Sequence, residues 1–200
     1  KDNILKVKGD LPLISISQQN NDCGDENICV GDHGASGFNM FRQVLIGCKA
    51  TDSKFIISAE ADCLYPPDYF EYRPPEDDKC YRNNNLYVMG QWRKYFYKKN
   101  EGATHAQIVG RQFYIDTLER LFEGQPEWSV EQKNFPKEIN GNNDVFDTDE
   151  KEWYTTKNPV VQIKTTRSMR HYTHSDRTPV HDIPYWGNGA DFRKKYYGDK

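Results

Sequence analysis

Two acidic side chains, Glu60 and Asp62, have the types and spacing that most clearly suggest chemistry in this chain. They occur in the stretch "KFIISAEADCLYPPDYFEY", residues 54–72, directly after a short apolar run. Residues two apart in an extended chain point to the same side, so both carboxylates could share a hard divalent cation, Mg²⁺ or Mn²⁺. Such a cation could clamp a diphosphate and stabilise the charge that grows on it as it leaves. The competing interpretation is a solvated strand end, because an acid-x-acid pattern is common.

The elements before the acid pair predict how the pair is positioned. "LPLISIS", residues 11–17, is β-branched and predicts a strand, and "ICVGDHGASG" predicts a second short extended piece. A helix is expected after Ser36, a plausible N-cap, because apolar residues then recur at steps of three and four. Those residues are Phe38, Phe41, Leu45 and Cys48.

The apolar run "FIIS" that follows this helix predicts a strand covered on both faces in a parallel sheet. Strand, helix and strand therefore form the local unit. In open α/β sheets ligands bind beyond the carboxyl ends of the strands, which is where Glu60 and Asp62 fall. The Tyr65-Pro66-Pro67 step must then leave the sheet, because proline donates no ladder hydrogen bond.

The rest of the chain adds fewer regular elements. "NLYVMG" and "PVVQIKT" predict strands, and residues from about 107 to 122 predict a helix with an apolar face. Residues 124–153 are polar and turn-rich, which indicates loop with short helical pieces. The tail, rich in His, aromatic residues, Gly and Pro, is expected to wrap over the domain rather than to build the sheet.

Composition bounds the class of protein. Two hundred residues with 36% hydrophobic side chains predict one globular domain, residues 1–200, and a formal charge of −3 gives no global drive toward nucleic acid or an anionic membrane. No apolar run approaches the roughly 18 residues of a membrane span, which predicts a soluble protein. Five cysteines, an odd count without zinc-ribbon spacing, favour free thiols and a cytoplasmic location.

The order of an Arg-bearing helix, a strand ending in Glu-x-Asp and then Leu-Tyr-Pro resembles the nucleotide-sugar glycosyltransferases of the GT-A fold. The likeness is to the family 2-like group, with a phage-type Glu-x-Asp-x-Leu-Tyr-Pro form, and covers about residues 11–125. It implies an α/β fold with a mostly parallel central sheet flanked by helices. It also implies that Asp62 binds metal and diphosphate with Glu60 in the first acidic position, and that Arg42 and Gln43 lie near the donor nucleotide.

One departure from the family concerns the first strand, whose end holds the nucleobase. A strand and a helix should precede "LPLISIS", and only ten residues do. Two alternatives stay open: the chain is truncated at its N-terminus, or the sheet lacks the usual first strand and the base is held otherwise.

The resemblance also implies roles late in the chain. The family often supplies a late His as a metal ligand; the matching place here has Thr165 and Thr166, so the candidates are His171, His174 and His181. An inverting transfer needs a carboxylate that takes the proton of the acceptor hydroxyl. The matching region, "GQPEWSVEQK", offers Glu127 and, in reserve, Glu131.

Aromatic residues suggest two further contacts with substrates. "QWRKYFYKK" places Trp92 and Lys94 where a basic group and an aromatic face could hold the acceptor, although an amphipathic strand with a basic edge explains the same pattern. "IPYWGNG" places Trp186 among glycines suited to a lid over a sugar donor, and core packing is the alternative.

These observations favour an inverting hexosyl- or pentosyltransferase that uses Mn²⁺ or Mg²⁺. It would move a sugar from a nucleoside-diphosphate donor to a hydroxyl of a glycan, protein, lipid or modified DNA base. Two alternatives stay open: a non-catalytic sugar- or nucleotide-binding module with a degenerate transferase fold, and a nucleotidyltransferase.

Overall fold

The computed structural model describes residues 1–100, 102–131, 136, 144–164 and 178–198. Its four α-helices are α1 (Asp2–Val7), α2 (Gly37–Lys49), α3 (Arg111–Phe122) and α4 (Gly189–Tyr197). The first six strands are β1 (Ile14–Ser17), β2 (Glu26–Cys29), β3 (Phe55–Ile57), β4 (Cys63–Leu64), β5 (Cys80–Asn83) and β6 (Leu86–Gly90). The last six are β7 (Tyr97–Lys98), β8 (Gln107–Gly110), β9 (Lys151–Tyr154), β10 (Val160–Lys164), β11 (Asp182–Ile183) and β12 (Gly187–Asn188).

Two four-stranded sheets form the centre of the described structure. The first sheet has the strand order β3-β8-β5-β9, and the second has the order β4-β10-β6-β7. In both, antiparallel pairs outnumber parallel ones, since only β5–β9 and β6–β10 run parallel within these described sheets. The α/β class is therefore confirmed, but a mostly parallel central sheet is not what the described residues form.

The two sheets face each other across a shared core. Alternation along the strands assigns the faces: Ile108 of β8 and Val160 of β10 lie in the core between the sheets. Their neighbours Val109 and Val161 point outward, the first toward α2 and α3 and the second toward α4 and the β11–β12 hairpin. The order of layers is α2 with α3, first sheet, second sheet, and then the C-terminal hairpin and helix, and α1 packs at the core between the sheets through Ile4 and Val7.

Helix α2 forms as its sequence predicts. Ser36 is its N-cap, and the Ser36 hydroxyl accepts a hydrogen bond from the amide of Asn39 at 3.0 Å. The four residues of the predicted apolar face, Phe38, Phe41, Leu45 and Cys48, are all buried in the core beneath α3.

Three local predictions were wrong in whole or in part. β3 is covered on both faces as predicted, by Phe55 and Ile57 packing on the core between the sheets and Ile56 on the core under α2 and α3, but it pairs with β8 in the antiparallel sense and so does not belong to a parallel sheet. Residues 107–110, predicted as the start of a helix, form β8 because they pair with both β3 and β5. The polar segment before Tyr154 contains β9, which pairs with β5.

Two predictions about the chain as a whole can be compared with the described residues. None of their helices has both the length and the apolar character needed to cross a bilayer. All five cysteines carry free thiols, and Cys48, Cys63 and Cys80 are buried.

Candidate functional site

A tight turn follows β3 and places the acidic residues differently from an extended chain. The amide of Cys63 donates a hydrogen bond to the carbonyl of Glu60 at 3.1 Å, which closes a four-residue turn over residues 60–63. Such a turn brings its first and fourth residues together. The partner that this turn gives to Glu60 is consequently Cys63, and the predicted extended arrangement of Glu60 and Asp62 was wrong.

Tyr65 connects this turn to a second segment of the chain. Its buried hydroxyl accepts a hydrogen bond from the amide of Glu60 and donates one to the carbonyl of His105, both at 2.8 Å. His105 belongs to a single 3₁₀ turn, Thr104–Ala106, that leads into β8. The neighbouring Thr104 hydroxyl donates to a Glu60 carboxylate oxygen at 3.4 Å. One aromatic residue thus fixes the backbone on both sides of the site.

The result is a cluster of three different ligand types. One ligand atom each from Glu60, Cys63 and His105 lies within 4.8 Å of the other two. Cys63 and His105 retain only 4% and 3% of their exposure. The cluster lies where the two sheets meet, because Glu60 and His105 flank strands of the first sheet and Cys63 begins β4 of the second.

Asp62 and Gln162 border the cluster. The Asp62 carboxylate accepts a hydrogen bond from the Cys63 thiol at 3.3 Å and another from the Gln162 side-chain amide at 3.2 Å. Gln162 pairs directly with Cys63 across β10 and β4, so both side chains lie on the inner face of the second sheet. Gln162 is buried, and its side-chain carbonyl oxygen has no hydrogen-bond partner among the described residues.

Burial shifts the pKa of all three groups of the cluster, the Glu60 carboxyl, the Cys63 thiol and the His105 imidazole. It raises the pKa of Glu60 to about 7, with a further contribution from the charge of Asp62. Burial and then the neighbouring carboxylates hold the pKa of the Cys63 thiol well above its ordinary value. Burial, together with Lys99 and Lys164, lowers the pKa of His105. The thiol is therefore not activated as a free nucleophile, whereas the imidazole is held in the neutral form that binds metals.

Arg42 and Glu127 lie at a second place, where the loop after α3 returns to α2. The Arg42 guanidinium stacks on the Phe122 ring at 3.8 Å and donates to the carbonyl of Pro126 at 2.6 Å. Burial lowers the pKa of Arg42, and the charge of Glu127 partly offsets this effect. Glu127 is exposed. These contacts explain why an Arg stands on this face of α2, but they join it to the α3 loop and not to the Glu60 turn.

The same loop is held by side chains near the start of α2. Ser129 donates its amide to the Asn39 side chain at 2.8 Å and accepts from the Ser36 hydroxyl at 2.7 Å. The Trp128 ring stacks on His33 with centroids 4.1 Å apart. Gln43 donates to the carbonyl of Asn39 within α2, and Glu131 is exposed beyond the docked loop.

A third place gathers the predicted acceptor and lid residues. The C-terminal segment docks here, because Phe96 pairs with Val180 and the His181 ring lies edge-on to Tyr95. Trp92 is 44% exposed and Lys94 is exposed beside it. The side chains of Trp92 and Lys94 are thus exposed, whereas the neighbouring Phe96 is covered by its pairing with Val180 of the C-terminal segment.

Trp186 occupies a packed position in this third place. Its indole N–H donates to the carbonyl of Pro159 at 2.7 Å, and its ring contacts Phe192 of α4. The aromatic residue that this hairpin exposes is Tyr185, at 52%. Of the three histidines predicted to bind metal, His181 is exposed in this third place, and His171 and His174 lie outside the described residues.

Sequence reasoning missed Cys63 and His105. Cys63 stands next to the acid pair, and a turn over residues 60–63 would have pointed to it. Nothing local identifies His105, because it is tied to the site by a hydrogen bond that spans 40 residues of chain.

Comparisons of the chain with protein-family models, with curated proteins and with solved structures find no match.

Proposed function

We propose that this protein is a metal-dependent transferase that moves a sugar from a nucleoside-diphosphate donor to a hydroxyl acceptor. One observation carries the proposal: the turn after β3 sets Glu60, Asp62 and Cys63 beside His105 at the junction of two sheets, which gathers three metal-ligand types. The GT-A glycosyltransferases that the sequence resembles have their metal- and diphosphate-binding motif at the matching position of the sheet.

The donor set decides which cations suit the site. Carboxylates alone would suit Mg²⁺, whereas a thiol and an imidazole beside them favour a first-row transition ion. Of the two expected ions, Mn²⁺ therefore fits these residues better than Mg²⁺. A divalent ion held at the cluster, with Glu60 as a ligand and Asp62 at the border, would supply positive charge to offset the charge that develops on the departing diphosphate.

Residues outside the cluster would deprotonate the acceptor and position the base. Glu127 is exposed on the loop held by α2. It would take the proton from the acceptor hydroxyl as the acceptor oxygen bonds to the anomeric carbon of the donor sugar. The bond from that carbon to the diphosphate breaks at the same time, and the nucleoside diphosphate leaves with the electron pair. Arg42 would keep Glu127 in place through their charge attraction and through its hydrogen bond to Pro126.

The test is donor hydrolysis by the full chain. The protein is mixed with Mn²⁺ and a panel of nucleoside-diphosphate sugars, and release of the nucleoside diphosphate is followed. We expect release from at least one donor, loss of it in Asp62→Asn, and retention in the matched control Asp10→Asn, an exposed acid on the loop after α1. No release from any donor in the wild type, with or without added acceptor, would remove the transferase assignment.

A specific observation favours one other function, that of a non-catalytic binding module. Cys63 and His105 are nearly inaccessible, as ligands of a structural ion are. A module of this kind would bind nucleotide or sugar in the same assay without cleaving it. Release of pyrophosphate from a nucleoside triphosphate would instead identify a nucleotidyltransferase.

A further inference from the structure

We infer that Glu60, Cys63 and His105 form a zinc site, in which Cys63 binds as the thiolate. The inference rests on the same site as the proposed function, but it concerns which ion the site selects and which residues hold it. It can therefore be tested by metal binding alone, without any substrate.

The geometry of the three side chains is close to that of a zinc site. Bond lengths of roughly 2.0 to 2.3 Å to nitrogen, oxygen and sulfur place tetrahedral ligand atoms about 3.5 Å apart. The three ligand atoms here already lie within 4.8 Å of one another. A movement of about 1 Å, within reach of small side-chain rotations, would complete the set.

The types of ligand select among cations. A thiolate and an imidazole are ligands of Zn²⁺, whereas Mg²⁺ takes oxygen ligands and keeps most of its water. One thiolate and one carboxylate would also balance the two charges of the ion, so that Zn²⁺ enters the buried junction without leaving net charge there. These features favour Zn²⁺ over both cations predicted from the acid pair.

Binding of Zn²⁺ as proposed would require the Cys63 thiol to lose its proton. The neighbouring Asp62 carboxylate is placed to accept that proton. The Cys63 thiol donates its hydrogen bond to Asp62, whose carboxylate is only partly buried. As the Zn–S bond forms, the proton passes to Asp62 and from there to solvent. Asp62 is in this scheme an outer partner of the site and not a ligand.

An independent observation points to a water molecule as the fourth ligand of the ion. The side-chain carbonyl oxygen of Gln162 is buried and unpartnered among the described residues, although the same side chain donates to Asp62. Gln162 lies beside Cys63 on the inner face of the second sheet. A water molecule bound to Zn²⁺ would donate a hydrogen bond to this oxygen, which removes the cost of leaving it unpaired.

The backbone is already arranged for these three ligands. The Tyr65 hydroxyl bridges the amide of Glu60 and the carbonyl of His105, so it fixes two ligand segments relative to each other. Tyr65 is thus a positioning residue: Tyr65→Phe should weaken Zn²⁺ binding by about tenfold and leave the ligand spectrum of the site unchanged.

The experiment uses the full chain after removal of metal with a chelator. Cobalt(II) is added as a spectroscopic probe, and Zn²⁺ is then titrated by competition. We expect a thiolate-to-cobalt charge-transfer band in the near ultraviolet, displacement of cobalt by stoichiometric Zn²⁺, and no displacement by a large excess of Mg²⁺. A cobalt spectrum without the thiolate band would overturn the inference.

Variants identify the ligands. Cys63→Ser should abolish the band and weaken Zn²⁺ binding by about 100-fold or more. Cys48→Ser is the matched control, because Cys48 is a buried thiol in the core under α2 and α3, and this variant should keep the band. His105→Asn provides a second route if Cys63→Ser fails to fold, which circular dichroism will show. Unchanged Zn²⁺ affinity in a folded Cys63→Ser or His105→Asn protein would place the ion elsewhere and refute the assignment.

Failure of this inference can be told apart from failure of the transferase proposal. A zinc site that depends on Cys63, with no donor hydrolysis under any ion, supports the inference and removes the transferase. Donor hydrolysis with Mn²⁺ that persists in Cys63→Ser, without a thiolate band in the wild type, supports the transferase and overturns the inference.

Discussion

At the scale of single residues, the site depends on which carboxylate is free to meet a ligand. Glu60 is engaged by Thr104 and lies against Cys63 and His105, whereas Asp62 accepts hydrogen bonds from Cys63 and Gln162 at the border of the cluster. The two acids are therefore not equivalent. Glu60 belongs to the three-residue cluster, and Asp62 lies at its border.

The first prediction concerns Asp62. Asp62→Asn keeps the shape of the side chain and removes its charge, so metal-dependent nucleotide binding and turnover should fall together while the fold survives. Calorimetric titration of UDP with and without Mn²⁺ measures this effect. If the metal strengthens UDP binding equally in the variant and the wild type, Asp62 has no part in the site.

The second prediction concerns Glu127. Glu127→Gln should lower transfer by about 10² to 10⁴ and leave nucleotide affinity nearly intact, because a general base acts on the acceptor. Single-turnover rates and UDP affinity are measured on the same preparation. Glu131→Gln serves as the neighbouring control, and a normal rate in Glu127→Gln combined with a slow rate in Glu131→Gln would transfer the role to Glu131.

At the scale of elements, a buried charge network joins β5 to β9. Arg82 of β5 makes two hydrogen bonds to the Asp144 carboxylate, at 2.6 and 2.9 Å, and Lys151 at the start of β9 adds a third at 2.8 Å. The Arg82 side chain is only 7% exposed. The network fixes the edge of the first sheet, and through β5 and β8 it supports the turn that holds His105.

The third prediction follows from that network. Asp144→Ala leaves Arg82 buried without its carboxylate, which should lower the free energy of unfolding by about 3 kcal/mol. Denaturant titration measures the change. Asp149→Ala, an exposed acid in the same loop, is the control and should change stability by less than about 0.5 kcal/mol.

The same carboxylate sets a pH dependence. Burial alone would raise the pKa of Asp144, but the hydrogen bonds from Arg82 and Lys151 outweigh it and lower the pKa below its ordinary value of 3.8. A depressed folded-state pKa gives stability that is present above the ordinary value and lost as pH falls through the folded one. The gap in stability between wild type and Asp144→Ala should hold near pH 6 and shrink below about pH 4. A gap that stays constant into the acid range would contradict this account.

At the scale of the whole molecule, the three places that the sequence singled out lie on different elements. The metal-ligand cluster is at the junction of the two sheets, Arg42 and Glu127 are where the α3 loop meets α2, and Trp92 and Lys94 are beside the C-terminal segment.

The fourth prediction tests this division. The double variant Trp92→Ala with Lys94→Ala should reduce transfer to the acceptor more than donor hydrolysis, because both side chains are exposed on the segment after β6 and neither belongs to the Glu60, Cys63 and His105 cluster. The two activities are assayed in parallel with one donor. Lys157→Ala is an exposed lysine control, and equal loss of transfer and hydrolysis in the double variant would assign this surface to the donor side.

The sequence by itself determined the features that depend on local pattern. The apolar face and Ser36 cap of α2, the strands β6 and β10, and the exit of the chain at Pro66 follow from periodicity, capping and the geometry of proline. It also placed two acidic residues, Glu60 and Asp62, shortly after β3, since strand ends are marked by where an apolar run stops.

Only the tertiary structure decided how these elements pair and which side chains complete the candidate cluster. Residues 107–110 lie on a strand because β3 and β5 flank them, and no local pattern contains those partners. His105 reaches Glu60 through the Tyr65 hydroxyl, and Gln162 reaches Asp62 across a separation of 100 residues. Hydrogen bonds of this range are made when sheets pack, so the members of the candidate cluster were brought together by the packing of distant segments and could not be predicted from the spacing of neighbours along the chain.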